Sequence, residues 1–73
     1  MTLSEGRIGQ TYLVEEVQVM GDATRRLEAL GVNEQTQILV LNAKRCGSMI
    51  IKVRGTRLAL GRMITDHILV KEV

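Results

Sequence analysis

Seventy-three residues make one domain, 1–73, close to the size at which a single hydrophobic core is only just sufficient. Hydrophobic residues are 45% of the chain, but Tyr12 is the one aromatic and proline is absent, so the core is expected to be aliphatic and the turns to rest on Gly, Asn and Asp. Ten Lys and Arg against eight Asp and Glu leave a net charge of +2, dispersed along the chain, which excludes a polybasic nucleic-acid tail; a single cysteine excludes an internal disulfide.

In chain order, Thr2 to Gln10 reads as a polar lead-in turning at Gly6 and Gly9, from which Leu3 and Ile8 could each plug a core. Thr11 to Val19 reads as a strand with Leu13, Val17 and Val19 on the inward parity and Tyr12 and Val14 on the other. Glu15 and Glu16 break the alternation, which marks a bulge or a change of face. Gly21 to Val32 reads as a helix, with Asp22 as N-cap and Ala23, Leu27 and Leu30 in one stripe. Gly31 at C′ would place Leu27 and Val32 as the hydrophobic pair of a Schellman motif. So short a helix does not persist alone, and its stripe must lie on a sheet.

Asn33 and Glu34 turn the chain into Gln35 to Leu41, where Ile38 and Val40 alternate with Leu39 and Leu41, the pattern of a central strand buried on both faces. Asn42 to Ser48 is expected to be a loop with Gly47 at positive φ. Met49 to Leu60 reads as a hairpin about a type II′ turn at Gly55-Thr56. That register sets Val53 opposite Leu58, Ile51 opposite Leu60, Lys52 opposite Ala59, and the like charges of Arg54 and Arg57 opposite each other. Gly61 to Asp66 fits a helical turn, and Ile68 to Val70 a last strand. The expected inward set is Leu13, Val17, Leu27, Leu30, Ile38, Val40, Ile51, Val53, Leu58, Leu60 and Ile68. Leu39, Leu41, Ile50, Ile64 and Leu69 are left for a second core layer or an interface patch. The class is mainly β with one short α-helix, in a small, curved sheet or partly open barrel.

Motifs for chemistry are scarce. No G-x-x-x-x-G-K-[ST] loop is present, so the chain has no phosphate cradle. Cys46, Met49, Met63, Asp66 and His67 are the soft or imidazole ligands available, but none forms a C-x-x-C or H-x-x-x-H pair; Asp66 beside His67 could hold a divalent metal transiently. One histidine without a partnering motif does not make a nucleophile–base pair, so an enzyme is not expected and no cofactor is implied. The apolar runs fall far short of the ~18 to 20 residues that span a bilayer, and the N-terminus lacks a signal-peptide core, so a cytoplasmic protein is expected. Lys52, Arg54 and Arg57 on the hairpin and Arg25 and Arg26 on the helix fit either a solvated rim or a docking surface for an acidic partner. Nucleic-acid binding ranks third, because single-strand readers pair basic grooves with stacking aromatics.

Three stretches, Arg25 to Val32, Thr36 to Leu41 and Ile51 to Leu60 (IKVRGTRLAL), resemble the FeoA family in order and spacing along nearly the whole chain. The resemblance implies an SH3-like barrel crossed by the helix, and a non-enzymatic role beside the ferrous iron transporter FeoB, a membrane GTPase and permease. On that reading Arg25, Arg26 and Arg57 bind the partner, with no direct membrane insertion. Glu34-Gln35, Ala43 to Met49 and Gly61 to Asp66 depart from the family pattern. The barrel is also similar to the C-terminal domain of DtxR-type metal-dependent repressors, so the alternative is a stand-alone metal-sensing or metal-carrying domain, for which Asp66, His67 and Cys46 are the candidate ligands.

Overall fold

The computed structural model describes residues 1–73. A 3-10 turn, Leu3–Glu5, is followed by β1 (Thr11–Val17), α1 (Asp22–Ala29), β2 (Gln37–Ala43), β3 (Met49–Val53), β4 (Thr56–Leu60), a single helical turn α2 (Arg62–Thr65) and β5 (Ile68–Glu72). The strands form one antiparallel sheet in the order β4-β3-β2-β1-β5. It curves about one apolar core but does not close, since β4 and β5 are its two ends. The central position expected for Ile38 to Leu41 is therefore met: Ile38 and Val40 are buried, and Leu39 and Leu41 on the other face are half-buried.

The bulge anticipated at Glu15-Glu16 is present, between Val14 and Glu16 in the pairing of β1 with β5. It also overturns one of the two inward positions expected in this strand. One extra residue in a strand exchanges the two faces, so Tyr12 and Val14 point inward before the bulge, while Val17 and Val19 pack on the core after it. Leu13, expected inward with Val17, is only half-buried. Tyr12 is fully buried, and its hydroxyl accepts from the Arg7 N–H at 2.8 Å, so the one aromatic carries its polar end into a partner.

The hairpin register also differs. Arg54 (φ 50°) and Gly55 (φ 82°) form the turn, both left-handed, as a type I′ turn requires. The pairs are Val53 with Thr56, Lys52 with Arg57, Ile51 with Leu58 and Met49 with Leu60. Relative to the expected II′ register the partner strand slides by two residues, so the inward parity is kept. The slide sets Met49 opposite Leu60, both buried, and leaves Val53 opposite the exposed Thr56. Leu58 is half-buried against the core, and the opposed like charges are Lys52 and Arg57 rather than Arg54 and Arg57.

Helix α1 ends as expected. The Val32 N–H donates to the Leu27 carbonyl at 2.8 Å and the Gly31 N–H to the Glu28 carbonyl at 3.0 Å, with Gly31 at φ 99°. Leu27 and Val32 are buried and clasp the helix to the core. Leu30, expected inward, is the C-cap and is 46% exposed, while Val32, two residues on, takes the buried place. The N-cap is Gly21 (φ 76°) rather than Asp22, which becomes the first helical residue. There its carboxylate still faces the positive end of the dipole. The Thr24 hydroxyl donates back to the Val19 carbonyl and ties the first turn to the strand exit.

Of the two lead-in plugs, Leu3 is buried and Ile8 is exposed. Beyond it the N-terminal segment lines the outer side of β5: Thr2 bridges Leu69, and the Val70 N–H donates to the Met1 carbonyl at 2.8 Å.

Candidate partner-binding surface

Arg25 and Arg26 are exposed on α1, Arg25 about 160° and Arg26 about 100° around the helix from buried Leu27, so the packing that seats the helix leaves both outside its buried stripe. Arg57 is exposed on β4, on the outer face of the hairpin opposite Lys52. Arg62 with Asp66 (Nε to Oδ2, 3.7 Å) is the one ion pair of the chain, and no side-chain hydrogen bond engages Arg25, Arg26 or Arg57. All three cations are thus hydrated and free to meet a carboxylate from outside.

Arg54 has a different part, which sequence reading missed. Its side chain lies across Gly31: a Cβ placed on that glycine would sit 3.1 Å from the Arg54 Cδ. The hairpin tip is thereby laid on the C-terminal end of α1, where the helix dipole favours a cation. The positive φ of Gly31 was legible from the helix pattern. The second demand on that glycine, room for Arg54, depends on a turn whose position sequence alone misplaced by one residue.

The candidate metal ligands do not converge. Asp66 is held by Arg62. Cys46, exposed in the β2–β3 loop, has its Sγ 3.6 Å from the Ser48 hydroxyl. The Ser48 backbone N–H first, then its hydroxyl, hold the thiol below its ordinary pKa, with Lys44 adding a smaller pull. His67 turns its Nδ1 onto the Met63 carbonyl at 2.7 Å. No group of three His, Cys, Asp or Glu that could hold a metal forms anywhere in the chain. The surface has one cleft, of about 280 Å³, lined by Gln18, Val19, Met20, Met63 and His67. Met20 gave no sequence signal, being an isolated apolar residue in a connection.

With this geometry in hand, comparison with known proteins is decisive for the family: a FeoA domain model matches residues 1–72. The chain belongs to the FeoA family. No curated protein matches it. Among solved structures, the FeoA protein of Chlorobium tepidum is 27% identical, with TM-score 0.93, over 100% of this chain and 70% of that one. The zinc-complexed FeoA of Stenotrophomonas maltophilia, described as a prokaryotic SH3 domain protein, is 28% identical, with TM-score 0.84, over 97% of this chain and 89% of that one. The expected SH3-like class is therefore met in this FeoA-family chain. A manganese-dependent transcriptional repressor shares the fold alone, at 19% identity and TM-score 0.89, over 99% of this chain and 40% of the repressor.

Proposed function

We propose that this FeoA-family chain is a cytosolic, non-enzymatic accessory protein of ferrous iron transport, which binds and modulates a FeoB-type membrane transporter through Arg25, Arg26 and Arg57. The observation that carries the reading is that these three guanidinium groups are exposed without a carboxylate partner, on a small domain with no nucleotide loop and no metal-binding cluster of His, Cys, Asp and Glu. Family membership supports iron transport as the setting, and the Stenotrophomonas relative has been put forward, without being established, as a bacterial ferrous iron transport activating factor. No helix is long and apolar enough to cross a membrane, which is compatible with a partner that docks from the cytosol. Cations of this kind act mainly on the rate of encounter, steering an acidic surface into register.

The test is charge reversal. Arg25→Glu, Arg26→Glu and Arg57→Glu together should leave unfolding within ~0.5 kcal/mol per site, while association with the full-length transporter slows by roughly tenfold and its salt dependence changes sign, since salt then screens a repulsion. Parental affinity and uptake at every salt concentration would reduce this surface to a solvated rim. The alternative, a metal-sensing or metal-carrying domain using Asp66, His67 and Cys46, is separated by titration with ferrous, manganous and zinc ions.

A further inference from the structure

Met20 and Met63 are 90% and 85% exposed, and both line the same cleft as His67. A single exposed methionine needs no explanation. Two at one cleft beside an oriented imidazole form a donor set. The orientation is specific: the Met63 carbonyl can only accept, so the Nδ1 facing it at 2.7 Å carries the proton, which leaves Nε2 as the ring atom that can offer a lone pair to a metal. A backbone carbonyl holding one ring nitrogen is the arrangement that fixes a histidine as a metal ligand. The walls of the cleft are also fastened to each other, since the Gln18 N–H donates to the His67 carbonyl at 2.7 Å and the His67 N–H to the Ile64 carbonyl at 3.0 Å.

The donors decide the metal. No Asp, Glu or Cys lines the cleft, and neighbouring Asp66 is held by Arg62. The Gln18 side-chain amide is turned to Glu16. A hard or borderline divalent ion would find one imidazole and no anionic oxygen, whereas two thioethers and an imidazole suit a soft monovalent d10 ion. We infer that Met20, Met63 and His67 form a thioether–imidazole site that takes a cuprous ion. This inference stands independently of the docking reading, because it shares no residue with Arg25, Arg26 or Arg57.

The test uses the full chain carrying Cys46→Ser, so that the free thiol does not compete. Anaerobic titration with cuprous ion against a chromophoric cuprous chelator is expected to show one equivalent bound. Titration with silver(I), a redox-inert probe of the same softness, is expected to shift the Met20 and Met63 methyl and His67 ring resonances together, leaving those of Met1 and Met49 in place. Met20→Leu with Met63→Leu keeps the apolar volume and should weaken binding by at least the ~10-fold that even an outer-shell loss costs; His67→Gln should do the same. If the double variant loses its fold, Met20→Leu alone, at the more exposed position, carries the comparison. Cuprous binding unchanged by these substitutions would overturn the assignment. So would ferrous or zinc ion bound as tightly as cuprous ion with the same resonances shifted.

Discussion

Gly31→Ala probes two features of the fold at once. At φ 99° an alanine is outside the range that L side chains accept readily, a backbone cost of about 1 to 2 kcal/mol. Its Cβ would also lie 3.1 Å from the Arg54 Cδ, inside ordinary carbon–carbon contact. Because the Arg54 stem is flexible, moving it should cost only a few tenths of a kcal/mol more. Total stability for a chain of 73 residues is roughly 4 to 11 kcal/mol, so the loss is a large share of it. With a urea m-value of about 1 kcal/mol/M, the midpoint should fall by roughly 1 to 2 M at unchanged slope. Combining Gly31→Ala with Arg54→Ala separates the parts: the steric share disappears and the backbone share remains, giving a coupling of a few tenths of a kcal/mol. A midpoint equal to the parent's would refute the conformational argument. A Gly31→Ala cost that Arg54→Ala leaves unaltered would refute the contact.

Two further predictions concern the core and the pH response. Tyr12→Ala should cost about 3 to 5 kcal/mol, as large aromatic truncations in cores do, and Leu13→Ala less than about 1.5 kcal/mol; urea midpoints in the reverse order would put the bulge in the wrong place. Glu5 accepts from the Thr2 N–H at 2.9 Å and from the Thr2 hydroxyl at 3.1 Å, which holds its carboxyl below the ordinary value. A depressed folded pKa gives stability that is present above the unfolded pKa and is lost as pH falls through the lower folded one. Glu5→Gln should therefore destabilise at neutral pH and converge with the parent in acid, and a gap constant with pH would contradict the hydrogen bond.

What could be read from the sequence followed from local rules. Leu27, Gly31 and Val32 lie at the spacings of a Schellman motif, and Ile38 to Leu41 shows the density of a two-sided strand. Both features are settled by residues close in sequence, and both were found where expected. The errors lay where a choice between near-equal local options is made by distant residues. An Arg-Gly turn and a Gly-Thr turn both give glycine its positive φ and keep the same inward parity, so the turn residues alone do not separate a register that pairs Met49 with Leu60 from one that pairs Ile51 with it. The bulge was visible in Glu15-Glu16, but the side of it facing the core depends on β5, more than fifty residues away. The candidate surface divides in the same way. Exposure of Arg25, Arg26 and Arg57 follows from periodicity, whereas the use of Arg54 and the placing of Met20 and Met63 at one cleft exist only after the chain has folded.

The segment Met1–Thr2 along β5 limits what the sheet can do with other chains. Its hydrogen bonds occupy backbone groups on that side, so β4 is left as the principal unpaired margin. An object with one adhesive margin can join a second copy margin to margin, and the pair then has none left to offer. Growth by repeated strand addition, the route to fibrils, requires two such margins on every unit. Stripping Met1 and Thr2 from the sheet would supply the second and turn a self-terminating contact into one that propagates.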